Sequence, residues 1–554
     1  MTPSRHLYLR KIVSAICARL WLVTGCVLAL AMSFVPSPLQ AQTYTDLRDF
    51  VCATDGCGSN YAGIPAQGRD GNLYGTLASG GTNGGNGTVY KITPSGTFTT
   101  HYAFSGSDGS SPYSGLTLGT DGNLYGTTLN GGLNNFGTIF KITTTRTLTT
   151  LHNFTATEGG GAFAAPVEGK IPGTFYGVTS NSKAYSITST GTFKLLLNPT
   201  PGDSRVPLIL ASDGNFYGTT AQGGSTSNGT VFRMSSAGAI KIIYNFDNIH
   251  GANPRGPVVQ GSDGNLYGTT LVGGSNANTE GVVFKLSTGG AITVLHEFDM
   301  TSTTDGYAPY AGLVAGSDGN FYGATYTGAS NGAARYGTLF KITKTGAYTL
   351  LYAFDQTHGA TTLTTPMQHT NGIIYGETAS GGTPGNGVFY SLNDGISLFV
   401  SLLGFPVATA GQTVEILGNG LTGTTKVQFG SGTATFTVVS DTYITAVVPS
   451  SGTTGSVVVT TPGGTLTSKQ TFKVVPVITS FSPPSGPVGT PVTITGSGFT
   501  GATKVSFGGK NATVFTVNSG TQITATVPNG AVTGKIKVTT AGGIATSTGT
   551  FTVH

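Results

Sequence analysis

Five aspartates, Asp70, Asp121, Asp213, Asp263 and Asp318, each stand directly before a Gly-Asn pair. Repeated acids beside glycine are the raw material of calcium loops. A calcium loop, however, needs several oxygen ligands within one turn, as in Asp-x-Asp-x-Asp-Gly. Here each turn holds a single Asp. Asp-Gly and Asn also accept the positive φ of a tight hairpin. The turn role is therefore the expected one, and no metal ligand set and no cofactor is assigned.

Other reactive side chains give no catalytic constellation. His152 and His296 occupy matching places in the chain, shared in other repeats by Arg48, Tyr102, Tyr244 and Tyr352, and no carboxylate partner recurs with them. Mixed amphipathic types at one strand position suggest a half-exposed edge. No Walker loop or His-Glu-x-x-His motif occurs. No pair of carboxylates stands out for glycoside hydrolysis. The catalytic set is accordingly empty. Cys52 and Cys57 lie in a polar, Gly-containing loop with no further metal ligands nearby. They are expected to form a disulfide in an oxidising compartment.

The elements that position these residues follow from a repeat. Tyr-Gly pairs begin at Tyr74, Tyr125, Tyr176, Tyr217, Tyr267, Tyr322 and Tyr375, inside a motif that reads Asp-Gly-Asn-Leu-Tyr-Gly-Thr-Thr and later Gly-Thr-Val-Phe-Lys-Ile-Thr. A period near 50 residues means a solenoid or a propeller. Each copy reads as four strands: in the sixth, A over 311–316, B over Phe321 to Thr325, C over Gly337 to Thr343 and D over Ala347 to Phe354. Four strands per unit make a propeller blade. Residues 43–50 resemble the D strands and precede the first full copy. They are expected to complete the last blade beside 388–392, with Ile396 to Leu403 as the rival for that place. The repeated Tyr, and the Phe that closes each D strand, read as core filler.

The repeat resembles the GloVer-type tandem repeats of choice-of-anchor exported bacterial proteins over residues 43–395. That resemblance implies export and repetition and no established activity. The third copy departs from it, with Ile171-Pro172-Gly173 in place of Asp-Gly-Asn and a shortened middle loop. Two further units follow. Gly418 to Phe429 matches Gly496 to Phe507, and the second opens with Pro476 to Pro487. This looks like an IPT/TIG domain, an immunoglobulin-like sandwich, and the alternating short strands agree. The expected architecture is all-β: a seven-bladed propeller over 42–395, then IPT/TIG units over 396–475 and 476–554.

Export is also expected from the first residues. Arg5, Arg10, Lys11 and Arg19 precede the uncharged apolar run Leu20 to Val35, with a cleavage site placed after Ala41. A lipobox-like Val23-Thr24-Gly25-Cys26 is the competing reading of this segment. Of the 27 basic residues four lie in the signal, so the mature chain is almost balanced against its 22 acids. That balance argues against nucleic acid or anionic membrane as partner. A secreted or cell-surface monomer is expected, with no recognisable C-terminal anchor.

Loop length indicates where function would reside. A–B and C–D turns share one face of a blade and are uniformly short; B–C and D–A connections share the other and are long and varied. Rigid scaffolds carry binding groups on such loops. The candidate ligand-binding set is Asp247, His250, Asn253, Arg255, Asp299, Asp305, Tyr307, Tyr310, Arg335, Tyr336, Asp355 and His358. The expected function is non-catalytic binding of an extracellular glycan or protein through this face, with the sandwiches as spacers. The alternatives are a polysaccharide-degrading enzyme and a structural envelope component.

Overall fold

The Asp-Gly-Asn corners fold as tight hairpins, and each acid has a second task. Asp70 Oδ1 accepts from the Asn72 backbone N–H at 3.2 Å. Its Oδ2 accepts from the Asn72 amide at 2.7 Å and from the Tyr74 hydroxyl at 2.8 Å. The same three bonds recur at Asp121, Asp213, Asp263 and Asp318. The acid fixes the corner and gives the buried Tyr hydroxyl the partner that burial demands. In the seventh copy Asn371 stands in its place and donates to Tyr375 at 2.9 Å.

The computed structural model describes residues 42–58, 63–328 and 335–554, with backbone alone at 197–199. The signal segment, with Cys17 and Cys26, lies outside the described residues. Among them, seven four-stranded antiparallel sheets occupy residues 43–393. Blade one is typical: strand A is Ala66–Gln67, B Leu73–Leu77, C Thr88–Ile92 and D Phe98–Ala103. Strand A is short, two residues in every blade; in the sixth it is Val314–Ala315, inside the longer stretch that the pattern suggested. The third copy forms a full blade over Val167 to Pro199 despite its missing Asp.

The ring closes through Thr43–Asp49, which pairs antiparallel with Val388–Asn393 from Thr43↔Asn393 to Asp49↔Val388. Tyr44 stacks on Tyr352 of the preceding blade at 3.8 Å. Ser401–Leu403 instead enters a sandwich sheet, so the rival segment does not complete the blade. Closure removes the free edges on which sheets aggregate.

Each repeated residue has a packing reason. The Tyr of every Tyr-Gly pair is buried, as is the Phe that ends each D strand. The glycine lets the C-strand aromatic lie over strand B: a Cβ at Gly126 would meet Phe140 at 2.5 Å, and one at Gly268 would meet Phe284 at 2.6 Å. The first Thr of Tyr-Gly-Thr-Thr ties neighbouring blades, as in Thr127 to Ala162 O at 3.0 Å and Thr269 to Ala311 O at 2.7 Å. The second Thr meets the C-strand Thr of its own blade, as in Thr220 and Thr230 at 2.8 Å.

Two β-sandwiches follow. The first pairs a four-stranded sheet, which includes Thr413–Leu417 and Tyr443–Val447, with a five-stranded sheet around Gly455–Thr461 and Gly464–Val475. The second, over Val477 to Val553, has two four-stranded sheets and a two-stranded one. Each has its own aliphatic and Phe core.

Residues 43–554 form one unit, and within it the first sandwich sits on the short-turn face of the propeller. Arg69, in the A–B turn of blade one, donates to Glu415 at 2.5 Å and lies over the Tyr443 ring at 4.9 Å. Thr442 donates to Arg69 O at 2.7 Å. Asn419 reaches Thr370 of blade seven at 2.5 Å, and Lys473 reaches Ser212 O of blade four at 3.2 Å. Lys170 of blade three lies over Phe405 at 5.3 Å. Lys469 is inserted furthest, donating to Ala315 O at 2.7 Å and Gln368 Oε1 at 3.2 Å over the Phe399 ring. Burial lowers its ammonium to about 8.

Candidate functional site

The opposite face carries the long loops, and most of its acids organise their own loop. Asp247 Oδ1 accepts from the His250 backbone N–H at 2.8 Å while Oδ2 meets His250 Nδ1 at 2.7 Å. Asp355 and His358 repeat the arrangement at 2.8 Å for both contacts. Partial burial works to raise the Asp355 carboxyl, but the His358 N–H and ring outweigh it and hold it below its usual range. In return the bond to Asp355 makes His358 more basic than a free imidazole. Asp299 accepts from the Thr301 N–H and hydroxyl at 2.8 and 2.7 Å.

Asp305 is buried and committed, meeting His296 at 3.0 Å and accepting from the Asp299 N–H at 3.2 Å. This corrects two expectations: Asp305 is not offered to a ligand, and the residue two places before the closing Phe does have a recurring acidic partner. Arg48 bonds Asp55 at 2.6 Å, Tyr102 bonds Asp108 at 2.5 Å and His152 meets Glu158 at 3.1 Å. The acid stands from six to nine residues downstream in these pairs, so no fixed spacing announces it. It also caps the loop backbone, as in Ser105 N–H to Asp108 at 2.8 Å and Thr155 N–H to Glu158 at 2.9 Å.

The remaining candidates fall into separate pairs. Arg255 donates to Asn253 Oδ1 at 2.9 Å and lies over Tyr310 at 5.8 Å. Arg335 lies over Tyr307 at 5.8 Å and donates to Met300 O. Tyr336 donates to Gln356 at 2.7 Å. The structure joins Cys52 and Cys57, with Cα atoms 4.7 Å apart, in the D–A loop that enters blade one.

Two of the candidates, Arg255 and Tyr310, belong to a rim whose other members, Tyr113, Phe163 and Arg205, were not singled out from sequence. Tyr113, Phe163, Arg205, Arg255 and Tyr310 each stand four residues before the first residue of a strand A, namely Thr117, Val167, Ile209, Val259 and Val314. Phe163 lies 6.1 Å from Tyr113 and 4.8 Å from the Arg205 guanidinium. All five are half-buried. The register could have found them, but the types differ from blade to blade and no motif marks the position. Aromatic rings beside guanidinium planes make an amphipathic surface suited to stacking and to anion contact.

Two further features bear on chemistry. The string Gly328-Ala-Ser-Asn-Gly332 has the Gly-x-Ser-x-Gly form of a hydrolase elbow, and its Ser330 lies outside the described residues. At the seam of blades seven and one, Glu377 replaces the blade-tying Thr and is buried. Tyr90 of blade one donates to it, and the Tyr390 hydroxyl is buried nearby with no partner among the described residues. Burial raises Glu377 to about 7.

Two family models match the chain. The Gloeobacter/Verrucomicrobia repeat model matches residues 34–194 and 204–437, and the IPT/TIG domain model matches 401–474 and 476–553. Among solved structures, the chain is similar to virginiamycin B lyase from Staphylococcus aureus at 15% identity and TM-score 0.41, covering 64% of this chain and 98% of that one. It is also similar to the surface glycan-binding protein PbSGBP-B from Prevotella bryantii at 20% identity and TM-score 0.21, covering 28% of this chain and 39% of that one. SGBP-B from a xyloglucan utilization locus of Bacteroides uniformis matches at 23% identity and TM-score 0.16, covering 28% and 48%. No curated protein is similar to the chain at a significant level. With its blade-building repeat matched across most of its length, the chain belongs to the Gloeobacter/Verrucomicrobia repeat family and carries two IPT/TIG domains.

Proposed function

We propose that this chain is an exported, non-catalytic binding protein that presents the long-loop face of its propeller to an extracellular glycan or protein. One observation carries the reading: the first sandwich covers the short-turn face through Arg69, Thr370, Ser212 and Lys469 contacts. The long loops and the Tyr113–Tyr310 rim are the face left to a ligand. Loops held by their own acid–backbone bonds are ordered before binding, which limits the entropy lost on association. In this reading the signal is cut after Ala41, the mature monomer holds the propeller over 42–395, and the units over 396–475 and 476–554 serve as base and spacer.

The test is a glycan and protein array probed with the mature chain. Specific binding that weakens at least tenfold in Tyr307→Ala or His358→Ala supports the reading. An array with no bound component, or binding indifferent to both substitutions, contradicts it.

A further inference from the structure

The ring encloses a cavity on its axis of about 320 Å³, walled by Ile64, Leu116, Val167, Ile209, Val259 and Val314 with prolines and small residues between them. Volume and apolar lining are those of a small-ligand site. A second cavity is lined by the next residues of two of these strands, Met367 after Pro366 and Leu118 after Thr117, together with Phe399 and Lys469 of the first sandwich. The upper end is bounded by Ser114, Ala165, Pro207 and Pro257, each one or two residues beyond a rim side chain.

The two rim arginines are not equivalent. Arg205 donates to both oxygens of Asp203 at 3.0 and 2.9 Å. In the next loop Asn253 holds the place of that acid, and Arg255 donates at 2.9 Å to its neutral oxygen. The register is the same and the charge balance is not. The Arg255 guanidinium therefore keeps a net positive charge, braced on Tyr310 and two residues before Pro257 of the cavity wall.

We propose that this channel binds a linear aliphatic anion, its chain lying along the axis among the strand A side chains and its carboxylate on Arg255. The occupant follows from shape and charge. Seven strands around an axis leave a tube that suits an extended chain, and a planar guanidinium suits a carboxylate. The inference goes beyond the loop-face reading, because it requires no glycan or protein partner.

Isothermal titration of the full mature chain with octanoate and with octanol tests it. Octanoate is expected to occupy one site at least tenfold more tightly than octanol. Arg255→Gln should bring octanoate down to the octanol level. Val259→Trp, which fills the tube, should abolish both, with the melting transition reporting the fold. Tyr307→Ala and His358→Ala should leave octanoate binding unchanged, so failure of the loop-face reading is distinguishable. No octanoate binding by the wild-type chain overturns the proposal, as does undiminished binding in Arg255→Gln or tighter binding of 2-naphthoate than of octanoate. If Val259→Trp does not fold, the wild-type comparison and Arg255→Gln decide.

Discussion

The two faces of the propeller are made by the same strands and carry opposite kinds of connection. On one face the corners are short, most of them Asp-Gly-Asn or Ser/Thr-x-x-Gly turns bonded within themselves at 2.6–3.2 Å, as at Asp70 and Thr93. On the other, loops differ in length and in the spacing of the acids that hold them. The difference is mechanical: a sandwich can rest only on a level floor, and variation can accumulate only where nothing rests. The uniform face is the one the first sandwich covers, and the varied face is the one it leaves open.

The comparison can be broken from several directions, the largest effect first. Phe284→Ala removes a fully buried ring from between blades four and five and belongs to neither face. It should cost about 3–5 kcal/mol, read as a fall in denaturation midpoint. A cost under 1 kcal/mol would mean that the blades are not the tightly packed frame on which both faces depend.

The seam at Glu377 gives the next effect. Its native carboxyl titrates at about 7 against an ordinary 4.5. The folded chain thus holds a proton that the unfolded chain releases, and stability falls as pH rises from 4.5 towards 7. The loss is about 3 kcal/mol by the usual conversion. Glu377→Gln should flatten this slope in unfolding measured at pH 5 and pH 7.5, and an unchanged slope would place its origin elsewhere.

On the floor, Arg69→Ala removes the Glu415 bond, the Tyr443 contact and a bond to Thr120 O. It should cost about 1.5–3 kcal/mol, as expected for hydrogen bonds to a charged group, and raise cleavage by protease between residues 395 and 401. On the loop face, His358→Ala, at an exposed position, should shift stability by no more than about 0.5 kcal/mol while weakening ligand binding. Equal stability losses on the two faces would erase the distinction between them.

Much of this was legible in the sequence, for reasons that separate the two faces again. The Asp-Gly-Asn corners, the Tyr-Gly pair and the closing Phe repeat because each blade needs the same hairpin, the same close approach and the same filler. Residues 43–50 were readable as a candidate for ring closure because a D-strand pattern stood without a blade of its own, but only the pairing with Val388–Asn393 decides between them and Ile396 to Leu403. What escaped was either irregular in spacing or distant in the chain. The acids that partner Tyr102, His152 and His296 drift along loops of unequal length. Tyr113, Phe163 and Arg205 share a register with the candidates Arg255 and Tyr310, but the residue type varies along it. The floor contact joins Arg69 to Glu415, and Lys469 to Ala315, across separations that no local pattern encodes.

The covered floor is tested most directly by a crosslink. A Cβ placed at Gly71 would lie 3.3 Å from the Thr442 Cβ, close to the separation a disulfide spans. In the mature chain, Gly71→Cys with Thr442→Cys should therefore oxidise to completion in air, with no additional free thiol by mass spectrometry and array binding intact. Two persistently free thiols would mean that the sandwich does not rest on the propeller, and that both faces are open to ligands.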